Sequence, residues 1–177
     1  RSALQASVNP SYSDLVTRQT GQLVRRLIEQ RIAGLADGSV AVLDFSHIGL
    51  IDRSCADEFL AKLMLPLTAD HPSRDGYVVL RGISDDHLEI IEAVLEVHGL
   101  ALVVQLPSAE LRLVGAVSEQ ERRCWELVMR HGSALVDAVA EELSLACDAC
   151  QEMLERLARR RLLRRDADRF VPLGAVA

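Results

Sequence analysis

The feature that most constrains the fold of this chain is an alternation of short apolar runs with amphipathic stretches over residues 11–105. The runs at 40–45, 77–81 and 101–105 are nearly continuous in apolar residues. Runs of this length and composition are typical of strands that are buried on both faces of a sheet. A shorter run at 48–51 predicts a further, brief strand.

The stretches around these runs repeat apolar residues every three or four positions, which predicts helices. The predicted helices span 11–37, 54–64 and 85–98. Ser11, with Asp14 three residues later, is the expected N-cap of the first helix, and Pro66 is expected to stop the second. Ser84 is the expected cap of the third. Alternation of helices with strands indicates a mainly parallel sheet covered by helices, so we expect an α/β domain over 11–105.

The pattern changes after residue 105. Residues 106–117, which include Pro107, are expected to form a linker or a connecting strand. From Ser118 onward the spacing predicts three helices, followed by two short strand-like pieces within 164–171. Three helices closed by a hairpin are the plan of a winged helix-turn-helix domain. The sequence therefore predicts a second, mainly helical domain over 118–174.

The composition argues against several classes of protein. Hydrophobic residues make up 49% of the chain, which is enough to form folded cores. No apolar run approaches the roughly 18 residues that cross a bilayer, and the first residues lack the pattern of a secretory signal. The four cysteines are too few and too unevenly spaced for a disulfide framework. We therefore expect a cytoplasmic protein without membrane contact.

A serine near a predicted helix start is the first candidate functional residue. Ser54 follows Asp52 and Arg53, between a short loop and the helix. A phosphate on a serine at this position would meet unpaired helix amides and a favourable helix dipole. Asp52 is placed to orient the hydroxyl or the metal–nucleotide complex of a kinase. The alternative is that Ser54 is only a helix cap, a position that serine favours.

The residues around Ser54 resemble STAS-like domains, the fold of anti-sigma factor antagonists, in which a strand leads through an Asp-x-Ser signature into a helix. The closer resemblance is to a STAS-like bacterial family that begins with a helix and carries the pattern "DF…S-x-A-D-E-F-x-x-K-L". Here the pattern is Asp44-Phe45 followed by Ser54-Cys-Ala-Asp-Glu-Phe-Leu-Ala-Lys-Leu63, and the resemblance spans about 11–105. Two features depart from anti-sigma antagonists. Arg53 and Cys55 stand where serine and glycine are usual, and a helix is expected in place of the usual N-terminal strands.

The resemblance implies reversible docking on a partner protein. In the family that partner is a histidine-kinase-like ATPase that phosphorylates the signature serine, which by position is Ser54. The neighbouring polar residues are then expected on the partner-binding surface. These are Asp52, Arg53, Asp57 and Glu58.

The stretch 141–165 resembles the turn, recognition helix and first wing strand of bacterial winged-helix regulators. Those regulators typically read "E-x-L-G-L-S…L-x-x-L-x-x-x-G-L-V-x-R". The apolar positions of that pattern are filled here by Leu143, Leu145, Leu154, Leu157, Leu162 and Leu163. The resemblance implies the winged-helix fold and leaves the partner of this domain open.

Two charge patterns bear on DNA binding. The net charge is −6, yet seven arginines lie between Arg156 and Arg169. The candidate phosphate-binding residues are Arg159, Arg160, Arg161, Arg164, Arg165 and Arg169. The positions expected to be exposed on the recognition helix are Asp148, Gln151, Glu152 and Glu155. Because DNA phosphates repel carboxylates, the helix favours protein docking, whereas the arginines keep DNA binding open.

Other candidate sites are weaker. Cys147-x-x-Cys150 is a partial metal motif that only Cys124 and His131 could complete, and the two cysteines fit a helix core equally well. The sequence offers no nucleophile–base pair and no glycine-rich phosphate loop. We therefore expect a regulatory adaptor that is not an enzyme and holds no cofactor or metal. A DNA-binding transcription regulator is the alternative, and a homodimer remains open.

Overall fold

The computed structural model describes the backbone of residues 4–7 and all atoms of residues 14–69 and 76–174. The packing of the chain divides it into two compact units. The first unit ends at Ala116 and the second spans Val117–Gly174. The mixed α/β character expected from the sequence is confirmed. No helix in the described ranges has the length and apolarity needed to cross a bilayer.

The first unit is built on a mainly parallel sheet. Its strands are β1 Leu4–Ser7, β2 Asp14–Leu15, β3 Ser39–Asp44, β4 Leu50–Ile51, β5 Gly76–Arg81, β6 Ala101–Gln105 and β7 Leu111–Gly115. The main sheet has the order β1-β3-β5-β6-β7, in which β7 alone is antiparallel to its neighbour. The pair β2 and β4 forms a separate two-stranded parallel ladder. Val42 and Leu43 point to opposite faces of β3 and are both fully buried, as the apolar run predicts.

Helices connect these strands. They are α1 Arg18–Ala33, α2 Arg53–Ala56, a π-helical turn at Asp57–Ala61, α3 Lys62–Leu67 and α4 Asp85–Val97. The segment from Arg53 to Leu67 is therefore one continuous helical stretch. One apolar cluster joins the helices to the sheet, with Ile28, Phe59 and Ile91 packed in the same core as Leu43 and Leu80.

The N-terminal part of the first unit differs from the sequence prediction. A strand, β1, precedes the first helix, so the expectation of a helix in place of N-terminal strands is wrong. The helix begins at Arg18 and is capped by Thr17, because Leu15 before it belongs to the small ladder and is completely buried there. The cap expected at Ser11 lies outside the described residues.

Two further boundaries can be compared with the prediction. Pro66 lies inside α3, and the helix ends one residue later at Leu67. The hydroxyl of Thr68 donates a hydrogen bond to the carbonyl of Met64 at this end of the helix. In the region expected to be a linker or a connecting strand, β7 forms an edge of the main sheet. The main chain stays hydrogen-bonded to this unit as far as Ala116, whose N–H donates to the carbonyl of Leu100 at 2.8 Å.

The second unit consists of three helices and a hairpin. Its elements are α5 Glu119–His131, α6 Val136–Leu143, α7 Cys147–Arg159, β8 Arg164–Asp166 and β9 Arg169–Val171. A single antiparallel bridge from Ala134 to Phe170 adds a third short strand position. Trp125 donates its indole N–H to the carbonyl of Leu162 at 3.0 Å, which ties α5 to the segment after α7. Leu143 and Leu145 are half-buried, whereas the other four leucines singled out in the sequence are buried.

Candidate functional site

The N-cap of α2 is Asp52. Its Oδ1 accepts a hydrogen bond from the N–H of Cys55 at 2.7 Å, and its backbone is extended, as an N-cap requires. Ser54 therefore lies in the first turn of the helix, and the cap role expected for it belongs to Asp52. Its second oxygen is left to bind a group outside the helix.

The hydroxyl of Ser54 is held by the same carboxylate. Its Oγ donates to Oδ1 of Asp52 at 2.8 Å, and the side chain is half-buried. The amides of Ser54 and Cys55 also point at Asp52. A phosphate on Ser54 would consequently find these helix amides already bonded to Asp52, and not unpaired as expected from the sequence.

The second oxygen of Asp52 reaches the beginning of α1. Oδ2 accepts the N–H of Thr17 at 2.8 Å, and the N–H of Asp52 itself donates to the carbonyl of Leu15 at 2.9 Å. Burial alone would raise the pKa of Asp52, but the hydrogen bonds from Thr17, Cys55 and Ser54 outweigh it. The pKa of Asp52 is therefore held below its ordinary value of 3.8, and the group is a carboxylate at neutral pH.

Thr17 has a strained backbone. Its φ is 73° and its ψ is 147°, a region that side-chain-bearing residues rarely adopt. A residue held in such a region costs about 1–3 kcal/mol. The strain is maintained by contacts on both sides. The N–H of Thr17 binds Asp52, and its Oγ1 caps α1 by accepting the N–H of Thr20 at 3.4 Å. This role of Thr17 could not be read from the sequence, since the residue was expected inside the helix.

The two acidic residues that follow Ser54, Asp57 and Glu58, are paired with side chains of the same unit. Glu58 is 1% exposed, and its two oxygens lie 3.4 Å from Nη2 of Arg25 and 2.5 Å from Nζ of Lys62. Asp57 is bound to Nε2 of His98 at 2.6 Å. Arg53, in contrast, is exposed. The surface around Ser54 is thus formed by Asp52 and Arg53, and Glu58 is not part of it.

Gly21 explains how α1 approaches this helix so closely. A Cβ at this position would lie 2.8 Å from the carbonyl oxygen of Cys55 and 2.8 Å from Cβ of Glu58. Only glycine allows the two backbones to come this near without a shift. The first turn of α1 and the first turns of the Ser54 helix are therefore fixed against one another.

A polar network also fixes the strand that leads to the site. Asp44, at the end of β3, accepts hydrogen bonds from the N–H and the hydroxyl of Ser46 and from the guanidinium of Arg81 at the end of β5. Burial alone would raise the pKa of Asp44, but these hydrogen bonds hold the pKa below its ordinary value. The motif contained Asp44, but its pairing with Arg81 was not predicted, because the two residues are 37 positions apart.

The six candidate phosphate-binding arginines of the second unit fall into two groups. Arg159, Arg165 and Arg169 are exposed, whereas Arg160, Arg161 and Arg164 are half-buried. Arg160 lies 3.9 Å from Oε1 of Glu121, which also accepts a 2.7 Å hydrogen bond from Arg156. Burial lowers the pKa of Arg160 despite the nearby carboxylate. Arg160 therefore belongs to an internal ion cluster.

The exposed face of α7 over residues 148–155 is largely acidic, as its sequence predicts. Asp148, Gln151 and Glu152 are exposed, and Glu155 is half-buried. The amide of Gln151 donates to Glu155 at 3.0 Å, and Nη1 of Arg165 lies 3.7 Å from the same carboxylate.

The cysteine pair on α7 does not lie wholly in the core. Cys147 is exposed and its Sγ donates to Oδ1 of Asp137 at 3.0 Å, so the expectation that both cysteines fit the core is wrong. Cys150 is buried beside Cys124, and burial raises the pKa of the Cys150 thiol to about 12. Within the described residues no three potential metal ligands come together. Both thiols donate to α6, Cys147 to Asp137 and Cys150 to the carbonyl of Val136, but Cys147 is the first residue of α7 and is exposed there.

Comparisons with known proteins add no family assignment. No family model matches the sequence, and a search of curated proteins finds no significant match.

Proposed function

We propose that this chain is a regulatory adaptor whose first unit is STAS-like, docks reversibly on a histidine-kinase-like ATPase and is switched by phosphorylation of Ser54. The observation that carries the proposal is the 2.8 Å hydrogen bond from the hydroxyl of Ser54 to the carboxylate of Asp52. The bond aims a half-buried hydroxyl from the first turn of a helix and gives it a proton acceptor. An ordinary serine cap would instead bind a helix amide.

The chemistry required of this chain is small. A partner supplies ATP with its metal ion, and Oγ of Ser54 attacks the γ-phosphorus. The Oγ–P bond forms, the bond from the γ-phosphorus to the bridging oxygen of ADP breaks, and ADP leaves. The hydroxyl proton passes to Asp52, which is the hydrogen-bonded carboxylate, and from there to water. Asp52 thus positions the hydroxyl and accepts its proton.

The docking surface we assign is formed by exposed or half-buried residues around Ser54. Asp52 and Arg53 flank the serine, and Leu50 is 56% exposed on the neighbouring strand β4. Leu50 supplies an apolar anchor of the kind that protein interfaces use. Glu58 is not part of this docking surface because it is buried, and Asp57 is not part of it because its carboxylate is bonded to the ring of His98.

The test is transfer of labelled phosphate from ATP by an ATPase of this class from the same organism. We expect phosphate on wild type and on Ser108→Ala, a matched control at an exposed serine in the turn after β6. Ser54→Ala should take up none while still binding the ATPase. Equal labelling of Ser54→Ala would place the phosphate elsewhere, and no binding to any such ATPase would remove the proposal.

A second function is favoured by the hairpin β8–β9. The order of three helices and a hairpin, with a bridge before α6, is consistent with a winged helix, and Arg165 and Arg169 are exposed on the hairpin. Exposed arginines on such a hairpin can contact DNA phosphates. The acidic face of α7 opposes DNA binding, so DNA binding is the alternative role of this unit and protein docking the first.

A further inference from the structure

We infer that Asp52 is a latch between Ser54 and the beginning of α1, and that a phosphate on Ser54 opens the latch. The inference rests on the proposed phosphorylation for its trigger. The backbone around Thr17 is the part of this surface that changes when the charge arrives.

The latch consists of one planar carboxylate that serves two helices. Oδ1 binds the hydroxyl of Ser54 and the N–H of Cys55, and Oδ2 binds the N–H of Thr17. Both oxygens belong to one rigid group, so a rotation of the side chain about its Cα–Cβ bond withdraws Oδ1 from Ser54 and Oδ2 from Thr17 together. The contact with Thr17 is the only described hydrogen bond that joins the Asp52 side chain to the segment before α1.

Phosphorylation acts on this carboxylate in two ways. The Oγ of phosphoserine has no proton, so its hydrogen bond to Asp52 is lost. The phosphate brings about two negative charges next to the carboxylate and competes for the amides of Ser54 and Cys55. Phosphate is the stronger acceptor in charge and in number of oxygens, so the carboxylate of Asp52 is displaced.

Displacement of Asp52 removes one of the two contacts that hold Thr17 at a positive φ and leaves only the bond from the N–H of Thr20. The residue then relaxes towards negative φ, and the chain direction at residues 16–18 changes. Leu15 is fully buried and its carbonyl remains bonded to the N–H of Asp52, so the change stays local. The partner therefore meets an altered backbone around Thr17 as well as a new charge at Ser54.

Hydrogen exchange at the Thr17 amide tests the latch in the full chain without any partner. In Asp52→Ser the new hydroxyl can still cap α2, but it offers no second oxygen to Thr17. We expect exchange at Thr17 to become about tenfold faster or more in this variant, with exchange at Val79 in β5 unchanged. Ser54→Ala is the matched control, since it removes the hydroxyl and leaves the carboxylate, and its Thr17 exchange should equal that of wild type.

Phosphoserine installed at position 54 by genetic encoding tests the trigger. Exchange at Thr17 should again rise about tenfold, whereas phosphoserine at position 108 should leave it unchanged. Unchanged exchange in Asp52→Ser would overturn the latch, and a response to Asp52→Ser without one to phosphoserine would overturn the trigger. Neither measurement uses an ATPase, so both are independent of whether the proposed partner exists.

Discussion

The N–H of Thr17 donates to Oδ2 of Asp52 at 2.8 Å although the two residues are 35 positions apart in the chain. The contact links the strained residue before α1 to the cap of α2. It makes Asp52 a shared support for two helix starts, and Ser54 depends on the same carboxylate for its orientation. The energetic weight of the strain at Thr17 can be measured directly.

Thr17→Gly should raise the free energy of unfolding by about 0.5–1 kcal/mol, because glycine adopts a positive φ without strain and is a tolerable N-cap. Urea denaturation of the full chain measures the change. Thr20→Gly is the matched control, and it should lower the free energy of unfolding by about 0.5 kcal/mol, because Thr20 lies in the first turn of α1 and glycine is a weaker helix former than threonine. A loss of stability in both variants would mean that the backbone of Thr17 is not strained.

The main strands could be predicted from the sequence because buried apolar runs are a local signal. The ladder of Asp14–Leu15 with Leu50–Ile51 could not, because each strand has two residues and its pairing depends on distant chain. The spacing of Leu15 fits a helix stripe as well as it fits this strand. Local periodicity therefore assigned the segment to the helix that follows it.

The position of Glu58 shows a second limit of the sequence. Charged residues in a motif are usually solvated, so Glu58 was expected on the docking surface. The π-helical turn at Asp57–Ala61 places Glu58 inward, between Arg25 and Lys62. Neither the turn nor the two cations has a signature in the spacing of apolar residues.

Glu58→Ala should lower the free energy of unfolding by about 3 kcal/mol, since removal of one partner leaves Arg25 without a buried counter-charge. Nη1 of Arg25 also lies 3.8 Å from Oε1 of Glu29, but the side chain of Glu29 is 44% exposed. Glu29→Ala is therefore the matched control and should cost less than about 0.5 kcal/mol. Similar small losses in both variants would show that the Glu58 cluster adds little to stability.

Acid should destabilise the second unit through Glu121. Burial alone would raise the pKa of this carboxyl, but hydrogen bonds from Ser118 and Arg156 hold the pKa below its ordinary value of 4.5. A carboxyl with a lower pKa in the folded state binds fewer protons there than in the unfolded state. The contribution of Glu121 to the free energy of unfolding is therefore complete above pH 4.5, and it is lost as the pH falls through the pKa of the folded state.

Glu121→Gln should flatten this part of the stability profile. Denaturation midpoints between pH 7 and pH 3 measure the effect, and the variant should lose less stability than wild type over the acid part of the range. Glu126→Gln, an exposed residue on the same helix, is the control and should follow the wild-type profile. Parallel profiles for all three proteins would exclude Glu121 as the source of acid sensitivity.

DNA binding by the second unit can be distinguished from protein docking by its dependence on salt. Each phosphate contact made by an arginine contributes about one unit to the slope of log affinity against log salt concentration. Arg165 and Arg169 are exposed on the hairpin. If the unit binds duplex DNA, Arg165→Ala with Arg169→Ala should reduce this slope by about two and weaken all sequences alike.

Fluorescence anisotropy with a labelled random duplex measures both quantities. Arg123→Ala is the matched control, because Arg123 is exposed on α5 and pairs with Glu119 away from the hairpin. Arg160→Ala should act differently from the hairpin variants, since Arg160 is bound to Glu121 in an internal cluster and its loss should lower stability without changing the slope. Failure of the wild-type chain to bind duplex at low salt would assign the acidic face of α7 and the hairpin to protein docking.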